Sequence, residues 1–163
     1  MLPAELSLPH RTARIYSNAA QLIDRLQPLF ALALRIYVAR VFFLSGLTKL
    51  HDWSITLALF RNEYHVPLLP PAVAAVLGTC TELGLPIILF FGLGTRFAAV
   101  ALFVFNIVAA SSYPDLSAAG LKDHVLWGAL LLVLFFYGPG KLSLDQWFGR
   151  QLGGPNRASS EPG

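Results

Sequence analysis

Apolar residues gather along this chain into four long runs separated by short polar breaks. The first extends from about Leu29 to Lys49 and is interrupted only by Arg35, Arg40 and Ser45. The second follows Val66-Pro67-Leu68-Leu69-Pro70-Pro71, where proline suits a helix start because the first N–H groups have no partner anyway, and it continues to about Gly94. Gly92-Leu93-Gly94-Thr95-Arg96 reads as a tight turn, after which a third run covers Phe97 to about Ser112. Ser111-Ser112-Tyr113-Pro114-Asp115 closes it, and the fourth run spans His124 to Tyr137, ending at Gly138-Pro139-Gly140. Each run approaches the roughly 20 residues that cross a bilayer core. The last is short, so its apolar length must extend into flanking residues or its helix must stand nearly upright. The pattern predicts an all-α fold, an integral membrane bundle of four transmembrane helices.

Before the first run, Ile15, Ala19, Leu22, Ile23 and Leu26 fall near helical spacing, while Pro3, Glu5, Pro9, His10 and Arg11 lack the apolar core and cleavage site of a signal peptide. Residues 1–28 therefore read as a polar or amphipathic segment, either an interfacial helix or a plain lead-in. Residues 29–148 form the transmembrane domain. The tail after Leu144 is polar, and 149–163, with Gly153, Gly154, Pro155 and Pro162, is expected to be disordered.

Composition strengthens this picture. Of 163 residues, 55% are hydrophobic and 13% charged, against roughly 25% charged in soluble domains. The net charge of +3 is scattered, without the basic stripe of a nucleic-acid partner. Cys80 is the single cysteine, which excludes an internal disulfide and CxxC chemistry. Arg11, Arg14, Arg25, Arg96, Lys141, Arg150 and Arg157 lie on one side of the spans, and Lys49, Arg61 and Lys122 on the other. By the positive-inside rule both termini are cytoplasmic, and the loops from His51 to Leu69 and from Tyr113 to Asp123 face outward.

An ionised group at the bilayer centre costs at least about 2.5–3.5 kcal/mol on insertion scales, so it needs a partner, a wet cavity or a function. Arg40 and Glu82 lie about halfway along the first and second runs, and antiparallel neighbours would pair them. That pair is either a register-fixing contact or a proton or headgroup site. Ala75, Gly78, Thr79, Glu82 and Pro86 share one small or polar face that should look inward. Pro86 also removes the donor to the Glu82 carbonyl. Arg35, Phe42, Gly46 and Lys49 share a face of the first helix, with Arg40 nearly opposite Lys49. Arg35 and Lys49 are expected to snorkel to headgroups, and Asn106 to hydrogen-bond across helices. Asp123 reads as the N-cap of the fourth helix, with His124 in its first turn. Together with His51 they form the candidate outer-face polar site, which would bind a metal only if the loop histidines joined it. The candidate supporting residues are Lys49, Thr79 and Asn106. The residues alone name no catalytic group and no metal.

Ala39-Arg40-Val41-Phe42-Phe43-Leu44-Ser45-Gly46-Leu47-Thr48-Lys49-Leu50 resembles the first-helix pattern of the DoxX family of small four-helix bacterial membrane proteins. Thr81-Glu82-Leu83-Gly84-Leu85-Pro86, Gly94-Thr95-Arg96 and Asp123-His124 extend the resemblance over roughly 30–148. It implies a role in the inner membrane as a subunit or partner of a quinone-linked redox enzyme. The stretches Val66–Pro71 and Ser112–Gly128 look more like a branch that accompanies maturation of copper-binding, cysteine-modified secreted peptides, which would make the chain an accessory protein. The cofactor implied is quinone in the first case and copper in the second. No flavin, dinucleotide, P-loop or haem-attachment motif is present.

Overall fold

The computed structural model describes residues 7–152, with side-chain surroundings for 12–151. Six helices follow one another: α1 (Ser7–His51), α2 (Trp53–Asn62), α3 (Pro71–Phe91), α4 (Thr95–Ser111), α5 (Ala118–Tyr137) and α6 (Leu144–Leu152). α1 packs on α3 and α5, and α4 packs on α3 and α5, so the four long helices close a ring. α1, α3 and α5 are long and apolar enough to cross a membrane. α4 is apolar but has 17 residues, at the lower edge of the spanning range. The chain is an all-helical membrane bundle, with large apolar side chains such as Phe97, Val104, Val125 and Phe136 exposed on its outer surface, where lipid is the solvent.

The core is built from small and branched residues of the inward faces: Val38, Ala39 and Phe42 of α1, Leu89 of α3, Ala98, Ala99 and Leu102 of α4, and Leu131 and Leu134 of α5. Without a hydrophobic driving force between helices in lipid, close approach depends on small residues. Gly46 of α1 is such a point, because a Cβ there would lie 2.9 Å from Leu83 Cδ2 and 3.1 Å from Glu82 Cβ. The expected face of α3 looks inward as a unit, with Ala75, Gly78, Thr79, Glu82 and Pro86 all buried. Thr79 bonds within its own helix, its hydroxyl donating to the Ala75 carbonyl at 2.8 Å.

The breaks follow their turn residues. Gly92 has φ +68°, and its N–H and that of Leu93 bond back to the carbonyls of Leu89 and Ile88, both at 3.1 Å. This left-handed closure satisfies the last carbonyls of α3.

Three sequence expectations need correction. The loop from His51 to Leu69 contains a helix, α2, started by Asp52, whose carboxylate accepts from Ile55 N at 3.0 Å. Those hydrogen bonds, led by the one from Ile55, hold the Asp52 carboxyl below its usual range. The fourth long helix starts at Ala118, with Ser117 rather than Asp123 as N-cap; Ser117 Oγ accepts from Gly120 N at 3.1 Å. The apolar run thereby gains its missing length from Ala118, Ala119 and Leu121. Finally, the polar stretch after Leu144 is helical to Leu152, while 153–163, the rest of the expected tail, and residues 1–6 lie outside the described residues. α6 starts behind Ser143, whose Oγ accepts from Gln146 N at 3.2 Å, and Asp145 in its first turn caps another helix: its carboxylate accepts from Gly94 N at 2.7 Å and Thr95 N at 3.0 Å, at the start of α4. A carboxylate there also complements the helix dipole.

Candidate functional site

Glu82 is paired with Lys49, not with Arg40. Lys49 Nζ donates to Glu82 Oε2 at 2.5 Å and to Ser45 Oγ at 3.1 Å, and Ser45 Oγ donates to Glu82 Oε1 at 3.1 Å. The carboxylate is therefore held by an ammonium and a hydroxyl one turn apart on α1, a spacing that puts both on one face. Arg40 is exposed on the opposite flank, in an apolar groove beside Phe43, Leu44, Pro86 and Ile87. Equal depth does not pair Arg40 with Glu82, because α1 ends level with the middle of α3: Lys49, in its last turn, meets Glu82, and α2 and the loop before Pro70 pack against the first turns of α3. Lys49 keeps partial exposure, 20%, but its ammonium turns into the bundle rather than out to headgroups. Arg35 does not snorkel either. It is fully buried at the other end of the bundle, where Nη2 donates to the Leu142 carbonyl and Asp145 acts on it electrostatically.

The Lys49–Ser45–Glu82 cluster lines a cavity of about 420 Å³ in the half of the bundle nearest α2. Phe42, Phe60, Phe105 and Trp127 supply much of its apolar wall. The rings meet edge to face: Phe42 and Trp127 at 6.0 Å between centroids, Phe60 and Tyr64 at 4.9 Å, and Tyr64 and Tyr113 at 5.2 Å. Tyr64 lies outside the spanning segments, and burial, then Tyr113, Glu63 and Glu82, push its phenol above the ordinary value of 10.0.

A second polar pole comes from α4 and α5. Asn106 Nδ2 donates to the His124 carbonyl at 2.9 Å, which fixes the amide orientation and leaves Oδ1 to face His124 Nδ1 at 2.8 Å. Oδ1 only accepts, so Nδ1 carries a proton. Asn106 thus bonds across helices as expected and also orients an imidazole on the cavity wall. Nearby, the buried Ser112 Oγ also belongs to this wall and has no hydrogen-bond partner among the described residues. The Ser112 carbonyl accepts from His65 N at 2.7 Å, which closes the loop over the cavity.

The other candidates do not join this site. His51 and Asp123 are exposed and away from the cavity lining. Among the described residues no group of three or more His, Cys, Asp and Glu converges to hold a metal ion, so Asp123, His124 and His51 do not assemble one. Sequence reasoning missed Ser45, Ser112, Tyr64 and Trp127. Ser45, four residues before Lys49, carried a readable signal, whereas Ser112 and Tyr64 meet only through tertiary packing. A larger, open depression of about 500 Å³ lies at the opposite end over Arg96, Pro139 and Lys141, but its carboxylate, Asp145, is already engaged in capping α4.

A helical membrane bundle with an ion pair and an oriented imidazole around one interior cavity defines the class of this protein. A family model described as DoxX matches residues 30–114, from α1 through α4. The chain belongs to the DoxX family. It is also similar to an uncharacterized protein of Haemophilus influenzae, at 34% identity over 124 residues, covering 70% of this chain and 80% of that relative. No solved structure matches it. The family match includes Ser45, Lys49, Glu82 and Ser112, whereas His124 lies beyond it.

Proposed function

We propose that the protein is an inner-membrane subunit or partner of a quinone-linked redox system and that the interhelical cavity holds the quinone head group. The observation that carries this reading is the cavity itself: about 420 Å³, walled by aromatic rings, with polar groups at two separate poles and one of them, the Ser112 hydroxyl, without a hydrogen-bond partner among the described residues. Small-molecule sites are typically apolar clefts of about 300–1,000 Å³ with a few fixed polar groups. A quinone ring has two carbonyl oxygens on opposite edges. The Lys49 ammonium suits one and the Ser112 hydroxyl the other, and Phe42 and Trp127 line the same cavity. Reduction of a quinone to its hydroquinone takes up two electrons and two protons. The electrons come from a partner redox enzyme, and Glu82 and His124 are the groups placed to pass protons. The excess of Lys and Arg at the opposite end of the bundle supports cytoplasmic termini, with the cavity in the outer half of the membrane.

The test is titration with a short-chain ubiquinone in nanodiscs, reading Trp127 fluorescence in a Trp53→Phe, Trp147→Phe background. Saturable quenching that weakens about tenfold in Ser112→Ala, together with quinone found in the purified protein, is expected. Absence of both quinone and saturable quenching overturns the proposal, and copper or a peptide found in its place redirects the work to the outward loops. A reporter fused after Gly163 tests the topology; activity on the outer side refutes it.

A further inference from the structure

α1 has 45 residues, about 67 Å at 1.5 Å per residue, more than twice the roughly 30 Å hydrocarbon core. The α5–α6 turn sits against it at Pro28 and Ala31, since a Cβ on Gly140 would lie 2.9 Å from Ala31 Cβ and 3.9 Å from Pro28 Cα. The stretch from Pro28 to His51 alone suffices for a crossing. The portion before it carries a second apolar stripe: Ile15, Leu22, Ile23 and Leu26 are each at least half exposed. At about 100° per residue these positions share one side of the helix, and Arg14, Gln21, Asp24 and Arg25 occupy the remainder. The stripe faces away from the side on which Arg35, Val38 and Phe42 enter the bundle, so the chain's own core cannot cover it.

Pro28 lies on the polar side of this segment. It supplies no N–H to the Asp24 carbonyl, and its ring crowds that carbonyl, so a helix opens on the proline side and bends away from it. The concave side is then the apolar stripe. A bend at Pro28 swings the segment outward from the bundle and turns the stripe down onto the bilayer, with Arg14 and Arg25 at its edge, at the height of lipid phosphates. α6, at the same end, is built alike: Leu144, Trp147 and Phe148 are exposed on one side, and Arg150 lies on the other. Tryptophan at that level is a membrane-interface residue.

We infer that residues 12–27 form a membrane-surface helix, hinged at Pro28, whose stripe of Ile15, Leu22, Ile23 and Leu26 docks into the lipid headgroup boundary on the side of the bundle that carries α6. The segment lies in the plane of the membrane instead of continuing the transmembrane axis into water. Its partner is the lipid surface, and its apolar face sits at the depth of the upper acyl chains. The arrangement gives the bundle a broad foot on one leaflet and fixes the tilt of α1.

The experiment is site-directed spin labelling of the full chain in nanodiscs of phosphatidylethanolamine and phosphatidylglycerol. A Cys80→Ser background is used, with labels at Leu22→Cys and Leu26→Cys on the stripe and at Gln21→Cys and Asp24→Cys on the polar side. The expected result is several-fold higher relaxation by oxygen than by a nickel chelate at the two stripe positions, reversed at the other two. Equal access of the nickel chelate to all four positions overturns the inference, because the helix then stands in water. Dipolar broadening at Leu22 and Leu26 with exclusion of both reagents also overturns it, because a second copy then covers the stripe. Pro28→Ala, which restores the missing hydrogen bond, should reduce the oxygen effect at Leu22→Cys; an unchanged value refutes the hinge.

Discussion

Removing the Glu82 carboxylate while leaving Lys49 in place strands an ammonium inside the bundle, and the cost follows from what the ammonium has left. In Glu82→Leu, Lys49 retains one bond, to Ser45 Oγ at 3.1 Å, in place of the bond to the carboxylate at 2.5 Å. Breaking a buried pair by deleting one member costs about 3–5 kcal/mol, whereas replacing both members with apolar groups is often neutral or stabilising. Lys49 is 20% exposed and Glu82 6%, so the ammonium can move partly toward solvent and the low end, about 3 kcal/mol, is expected. That is roughly a 150-fold shift in the folding equilibrium. Adding Lys49→Met to Glu82→Leu should recover most of the loss, so the two substitutions couple strongly and with opposite sign to their separate effects. Arg40→Met combined with Glu82→Leu should instead be additive, because Arg40 lies across the helix. The assay is reversible unfolding in lipid bicelles for the single and double variants. Additivity of Lys49→Met with Glu82→Leu, or coupling of Arg40 to Glu82, refutes the reasoning.

The other expectations are smaller in scale. Arg40→Leu removes a charge from a lipid-facing flank in mid-span and should favour membrane insertion by about 2.5–3.5 kcal/mol, read with a glycosylation-site insertion reporter; a loss of insertion means that Arg40 has a partner in the bundle. Gly92→Ala forces a Cβ into a φ of +68° and against Arg35 and Ser143, so it should lose at least about 1–2 kcal/mol in the same unfolding assay. Gly84→Ala, where a Cβ meets nothing within 4 Å, should be neutral or slightly stabilising, and equal losses at both glycines contradict the account. The Tyr64 phenol titrates late, so folding retains its proton above the ordinary 10.0. Its contribution to stability is whole below that pH and fades as pH rises through the folded-state value. Absorbance at 295 nm should show the delayed ionisation in wild type and lose it in Tyr64→Phe.

The helical class and the positions of the long helices were legible because lipid imposes a length and a composition that the sequence displays directly. The inward face of α3 was legible too, since Gly78, Thr79, Glu82 and Pro86 repeat at helical spacing. The pairing partner of Glu82 was half legible. The periodicity of α1 placed Arg35, Phe42 and Lys49 on one face with Arg40 opposite, and the structure follows that phase. Depth alone points to Arg40, because the polar break at His51 and Asp52 reads as the start of a loop and hides α2, whose N-cap is Asp52. α6 does carry a local start signal, Ser143 three residues before Gln146, but its short polar sequence hides its docking, which runs through Asp145 to the start of α4, about fifty positions away.

Three cations on α1 show what phase and position along a membrane helix decide. Arg35 and Lys49 share the inward face, yet they meet different surroundings. Arg35 is shut in by the α3–α4 turn and by the start of α6, so it acts as a clamp: it holds the Leu142 carbonyl, and Gly92 must lack a side chain to admit it. Lys49 lies where α2 and α4 leave a cavity, so its ammonium, shared between Glu82 and Ser45, sits on the cavity wall. Arg40, between them in sequence, falls outside the inward face and lies in an apolar groove. The same charge is thus enclosed at one end and cavity-facing at the other, and the difference follows from which neighbouring elements close over each position.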